Sequence, residues 1–199
     1  IRWFDCTVTG MEAHAGPTPM ALRKDSLLAA TRIMQDVVAA AHRHPPHGRG
    51  TVGMVQVFPN SRNVIPGRVK FSIDLRNATD ALVDQMADEV KAFAAKVGQE
   101  HGVDVKIEMV SSYNAIQFHE NCVDAVGRAA KKLGYSNMPA VSGAGHDAVY
   151  MAKLAPAGMI FIPCKDGISH NEIEDAKPEH ITAGCNVLLH AMLERAGVV

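Results

Sequence analysis

The sequence predicts a mixed α/β protein in two parts. Residues 1–112 read as a ferredoxin-like split βαβ unit, and residues 113–199 as the last αβα portion of a larger sheet. Three observations carry this. Up to residue 112, stretches with strand alternation and stretches with helical spacing follow one another in the order βαββαβ. The two central strand-like stretches are joined by a loop bearing Pro, Asn and Gly, the pattern of an antiparallel pair. Beyond residue 112, helical stretches flank Met159-Ile160-Phe161-Ile162-Pro163, a wholly apolar run suited to a strand buried on both faces.

The elements follow in order. Residues 1–12 read as a strand with Trp3, Cys6 and Val8 among its apolar positions. From Leu22 to Ala41, Leu27, Leu28, Ile33, Met34, Val37 and Val38 recur at steps of three and four, predicting a helix that the Pro45-Pro46 pair ends. Thr51–Phe58 and Arg68–Leu75 alternate as strands. Thr79 to Gly98 is a second amphipathic helix, with Thr79 or Asp80 as N-cap and Gly98 or Gly102 near its end. Val103–Val110 completes the first part. In the second, Cys122–Leu133 is helical and closed by Gly134-Tyr135, Val149–Leu154 is helical, and Pro178–Arg195 is a final helix with proline in its first turn.

Composition excludes several functions. A net charge of -1 with scattered basic residues and 5% aromatics gives no platform for nucleic acid and no attraction to an anionic membrane. No apolar run approaches the roughly 20 residues that span a bilayer. Four scattered cysteines without a Cys-x-x-Cys pair indicate a reduced, cytoplasmic setting and buried small hydrophobes, with Cys164 set apart by its closeness to His170. The start, Ile1-Arg2-Trp3-Phe4-Asp5, has neither an initiator methionine nor a signal pattern and reads as the inside of a longer protein.

The chemistry concentrates in three runs: Ala13-His14-Ala15-Gly16-Pro17-Thr18-Pro19-Met20, Ser142-Gly143-Ala144-Gly145-His146-Asp147-Ala148 and Asp166-Gly167-Ile168-Ser169-His170-Asn171-Glu172. Each sets a histidine in a turn of small residues, where a ring nitrogen can be aimed at a ligand and backbone can approach closely. Together they point to a hydrolytic metal site. Each residue also has a plainer reading. His170 is then a solvated histidine, His14 a turn cap, Asn63 a turn residue and Arg76 an exposed strand arginine. The run Gly143–Ala148 also fits a loose dinucleotide fingerprint, but a glycine loop offering backbone N–H groups to a carboxylate or carbonyl explains it better. His146 and Asp147 either line the pocket or lock the loop. His42, His44 and His47 read as a solvated loop.

These runs, with Arg23 and Asp25, Asn63-Val64-Ile65-Pro66-Gly67 and Asp74-Leu75-Arg76, resemble the second half of a dinuclear zinc amidohydrolase of the aminoacylase and carboxypeptidase G class. Within it the chain is similar to the hydantoinase/carbamoylase branch: N-carbamoyl-L-amino acid hydrolase, β-ureidopropionase and allantoate amidohydrolase. The blocks occur in that family's order and span nearly all of the chain. The resemblance implies that residues 1–112 form a lid and dimerisation domain, and residues 113–199 the C-terminal part of the catalytic domain. It implies that His170 is a metal ligand and that His14 crosses a homodimer to stabilise the oxyanion of the partner's substrate. Asn63, Arg76 and the Gly143-Ala144-Gly145 loop would hold the carboxylate of an N-carbamoyl or related ureido acid. Two Zn2+ ions per site are implied, with Mn2+, Co2+ or Ni2+ as substitutes.

The family's paired Glu-Glu, base and ligand, does not occur in this chain, and Asp88-Glu89 falls on the second amphipathic helix. The expectation is a fragment, inactive alone, of a zinc-dependent hydrolase of non-peptide C–N bonds. Two alternatives stay open: a related zinc aminoacylase or metallopeptidase, and a dimerisation module without chemistry of its own.

Overall fold

The structure is a computed structural model that describes residues 1–198. The chain divides into two compact units, Ile1–Ala115 and Ile116–Val199.

In the first unit, β1 (Arg2–Thr9) buries Phe4, Cys6 and Val8 on one face. Trp3 departs from the expectation. It points to the other face, 38% exposed, with its ring edge-on to Tyr113. Its neighbour Arg2 takes the inner register instead, because its guanidinium donates to Asp84 (Nε to Oδ1, 2.8 Å) and is neutralised there. β2 (Ala13–His14) is a two-residue strand. The first helix, α1 (Ser26–Arg43), begins later than its apolar spacing implied. Asp25 stops it from starting sooner, since its carboxylate accepts from the N–H groups of Leu27 and Leu28 (2.9 and 3.0 Å).

The strand expected at 51–58 is two pieces, β3 (Arg49–Thr51) and β4 (Val55–Phe58). Between them the N–H groups of Gly53 and Met54 donate to the Ser72 hydroxyl rather than to a ladder. β5 (Val64–Ile65) pairs with β2, and β6 (Arg68–Arg76) alternates strictly, burying Val69, Phe71, Ile73 and Leu75. Then come α2 (Asp80–His101) and β7 (Asp104–Ser112). Thr79 caps α2, and Gly102 closes it at φ 61°, a left-handed value that a residue with a Cβ adopts at a cost.

The main sheet runs β3-β6-β1-β7, with β4 also on β6 and every pairing antiparallel. This is the arrangement a split βαβ sequence order calls for. Ile33 and Val37 of α1, Met86, Val90 and Val97 of α2 and the inner residues of β1 and β6 form one buried cluster.

The second unit is less finished. It contains α3 (Glu120–Lys132), the single turn α4 (Ala148–Met151) and α5 (Pro178–Arg195). α3 and α5 meet through Ala125, Ala129, Ala130, Val187 and Ala191, small residues that let the helices approach closely. Val149–Leu154 is helical only at its start. Met159–Pro163 forms no strand, contrary to expectation. A ladder needs a neighbour, and among the described residues none lies alongside. No helix among the described residues is long and apolar enough to cross a membrane.

Candidate functional site

The sequence-predicted residues of the first unit lie at two ends of its sheet. At one end, β2 pairs His14 with Val64, and the N–H of Ala15 donates to the carbonyl of Asn63 (2.8 Å). His14 and Asn63 are thus held together, both exposed. The His14 ring is oriented by its own turn, because the Gly16 N–H donates to Nδ1 (3.0 Å). With Nδ1 accepting, the neutral ring carries its proton on Nε2, so that nitrogen is a donor. The Asn63 carboxamide accepts at Oδ1 from the Ser61 hydroxyl (2.9 Å), which turns its NH2 group away from Ser61.

Arg76 closes the opposite end of β6. Its Nε and Nη2 donate to the Asp74 carboxylate (3.0 Å to Oδ1 and 2.6 Å to Oδ2). These hydrogen bonds, set against partial burial, raise the guanidinium's already high pKa and fix its plane. Arg76 follows Arg68 by eight residue steps along β6, which at about 3.4 Å each is roughly 27 Å. Asn63 lies at the Arg68 end. The length of β6 thus separates the loop that holds Asn63 from Arg76.

In the second unit, the Gly143-Ala144-Gly145 loop is exposed. The Ala144 N–H donates to the Ser142 hydroxyl (3.1 Å), and Ser142 Oγ lies 2.7 Å from His146 Nε2. The His146 ring rests against Phe161, with ring centres 5.4 Å apart. Of the two readings left open for His146, this geometry favours locking the loop.

His170 sits on an exposed turn at φ 57°, a left-handed conformation uncommon outside glycine. Asp166 (φ 53°) and Gly167 (φ 67°) share it nearby. Two groups hold the turn. The His170 N–H donates to Glu174 Oε2 (2.9 Å), and the Ile173 N–H donates to Asn171 Oδ1 (3.1 Å). Asn171 falls inside the run Asp166–Glu172 singled out in the sequence, whereas Glu174 lies beyond it, and its distance along a loop has no periodic signature.

Whether these residues fit a metal is a question of donor number. A catalytic zinc takes at least three protein ligands. Among the described residues no group of three His, Cys, Asp or Glu side chains is disposed to hold an ion. This chain's donors do not by themselves fit a complete metal site, and His170 supplies one ligand at most.

One other expectation is corrected. His44 is not solvated, since its side chain is 10% exposed and Nε2 lies 2.8 Å from Glu89 Oε1. Arg43 reaches the same carboxylate at Oε2 (3.0 Å) and also Asp36 (3.0 Å), tying the end of α1 to α2. Cys6 is fully buried, and burial pushes its thiol up to about 12, which leaves it inert.

Comparison with known proteins gives a consistent set of likenesses. The sequence profile described as "Peptidase family M20/M25/M40" matches residues 9–194. An N-carbamoyl-L-amino-acid amidohydrolase of Rhizobium meliloti is 46% identical over 199 residues, covering 100% of this chain and 48% of that protein. An allantoate amidohydrolase of Bacillus subtilis strain 168 is 32% identical over 195 residues, covering 98% and 47%. The crystal structure of a hydantoinase/carbamoylase family amidase from Burkholderia multivorans superposes with a TM-score of 0.93 at 52% identity, covering 98% of this chain and 47% of that one. The chain spans about half the length of the curated relatives it matches.

Proposed function

Because this chain belongs to peptidase family M20/M25/M40, we propose that it supplies substrate-gripping and subunit-pairing parts of a metal-dependent amidohydrolase. In a protein of the relatives' length, that enzyme cleaves the carbamoyl C–N bond of N-carbamoyl-L-amino acids or related ureido acids. Ammonia and carbon dioxide leave, and the amino acid remains. The names and identities of the relatives support the reaction class. The observation that carries the role of this chain is the His14 turn: an exposed imidazole whose Nδ1 accepts from the Gly16 N–H, which leaves Nε2 to carry the proton of the neutral ring. Such a donor suits the oxygen that gains charge as the carbamoyl carbon becomes tetrahedral.

Asn63 stands beside His14 at the Arg68 end of β6, and Arg76 closes the other end, roughly 27 Å from Arg68 along the strand. The two ends of the lid, residues 1–112, would therefore serve two active sites of a homodimer. His14 and Asn63 enter the partner's site. Arg76, oriented by Asp74, forks the substrate carboxylate in the other, and the Gly143-Ala144-Gly145 loop would contact that substrate. Pairing through the lid also covers open sheet edges. His170 would be one ligand to the metal pair, Zn2+ or its Mn2+, Co2+ and Ni2+ substitutes. The other ligands and the base belong to residues outside this chain, so no part of water activation is assigned to it. The setting proposed is cytoplasmic, with no nucleic acid or membrane as partner.

Subunit mixing in the protein of full length tests the arrangement. His14→Ala subunits mixed with His170→Ala or Arg76→Ala subunits should regain activity, because one site of each heterodimer is whole. His14→Ala mixed with Asn63→Ala should regain none. Recovery in that last pair, or none in the first two despite proven exchange, defeats the division of labour. A panel of N-carbamoyl, N-acetyl and dipeptide substrates separates carbamoyl hydrolysis from aminoacylase or peptidase activity.

A further inference from the structure

Arg23 is half-buried, and its guanidinium spans the turn that follows His14. Nη2 donates to the carbonyls of Ala15 (2.6 Å) and Thr18 (3.0 Å), and Nε also donates to Thr18 (3.1 Å). The Thr18 N–H closes the same turn on the His14 carbonyl (3.4 Å). The peptide unit between Ala15 and Gly16 is therefore engaged at both ends. Its oxygen accepts from Arg23, and its N–H donates to His14 Nδ1 (3.0 Å). The two ends of a peptide are conjugated, so a cation on the oxygen draws charge from the nitrogen and strengthens the N–H as a donor.

We propose that Arg23 is a positioning residue for His14, acting through the Ala15–Gly16 peptide. The strengthened N–H holds Nδ1 as an acceptor, which keeps the neutral ring in its Nε2–H tautomer and aims that proton outward. Gly16 completes the device. A Cβ there would come within 3.3 Å of both Nδ1 and Cε1 of the ring, tight enough to turn it. The inference rests on the reading of His14 as a donor only for its consequence in catalysis; the relay itself is independent of that reading.

The test is nitrogen-15 NMR of the His14 ring and the Gly16 amide in this 199-residue chain, at a pH where the ring is neutral. In the wild type, Nδ1 should show the shift of a hydrogen-bonded acceptor, Nε2 that of a protonated nitrogen, and the Gly16 amide proton should lie downfield. Arg23→Met should move the Gly16 proton upfield and Nδ1 toward its unbonded value, with circular dichroism unchanged. Arg23→Lys, whose ammonium lacks the planar fork, should fall between. Gly16→Ala, which keeps the N–H but displaces the ring, should shift Nδ1 as well. Ring and amide signals that stay put in Arg23→Met and Gly16→Ala, or that move only with global loss of fold, overturn the proposal. Kinetics then separate it from the functional reading. If the relay shifts are seen while His14→Ala retains full activity in the protein of full length, the catalytic role of His14 fails and the relay stands.

Discussion

The two units differ in how far each satisfies itself. The first closes one core across its sheet and two helices, with Ile33, Val37, Val69, Ile73 and Leu75 at most 1% exposed. The second buries only small residues between α3 and α5 and leaves Leu154 82%, Met138 81% and Met192 61% exposed. It also opens an apolar groove of about 710 Å³ lined in part by Val126, Ile160, Ile162 and Leu188. An apolar surface of that kind signals a unit made for contact rather than for isolation. The difference extends to the histidines. His14 is set by a ladder and a pinned turn, whereas His170 is held in a strained conformation by two loop side chains.

The largest effect should fall on the less finished unit. In the protein of full length, His170→Ala should lower metal content and reduce turnover by at least about 100-fold, the size that changes to supporting residues already reach at metal centres. Metal analysis with steady-state kinetics decides it, and full occupancy with normal turnover would remove His170 from the site.

Next comes the contrast in packing. Ile33→Ala should cost the first unit about 2–5 kcal/mol, whereas Leu188→Ala in the second should stay within about 0.5 kcal/mol in this chain. Chemical denaturation of both variants checks this. Equal losses would mean that the second unit is as tightly closed as the first.

A smaller change is expected at the fork. Arg76→Lys should lower kcat/KM by the equivalent of about 1–3 kcal/mol, because one ammonium cannot match a planar guanidinium already seated on Asp74. An unchanged kcat/KM places Arg76 outside substrate recognition.

The smallest effect concerns pH. Burial opposes ionisation of Glu89, but hydrogen bonds from His44 and Arg43 outweigh it and hold its carboxyl below the usual range. A depressed folded-state value adds stability that is present above the unfolded carboxylate pKa and is lost as pH falls through the folded value. Glu89→Gln should therefore be less stable than wild type near neutrality, with the gap narrowing on acidification. A gap that stays constant from pH 7 down to about 3 would rule the contribution out.

Much of this protein was legible in its sequence because the determining signals are local or periodic. The alternation read along β6 matches its buried face, and each end of α2 falls on one of the two residues offered for it, Thr79 and Gly102, although the helix runs past Gly98. His14, Asn63, Arg76 and His170 could be singled out because short runs carry their neighbours with them. Tertiary structure decided what depends on partners distant in sequence. Trp3 yields the inner register to Arg2 because Asp84, far along the chain, neutralises that guanidinium. His44 leaves solvent because Glu89 on another helix takes its ring, and Met159–Pro163 stays unpaired because no strand stands beside it among the described residues. The separation of Asn63 from Arg76 follows from the length of β6, which becomes a distance only once the strand is extended. Periodicity fixes which face a residue shares with its neighbours; burial, charge pairing and separation are properties of the folded neighbourhood.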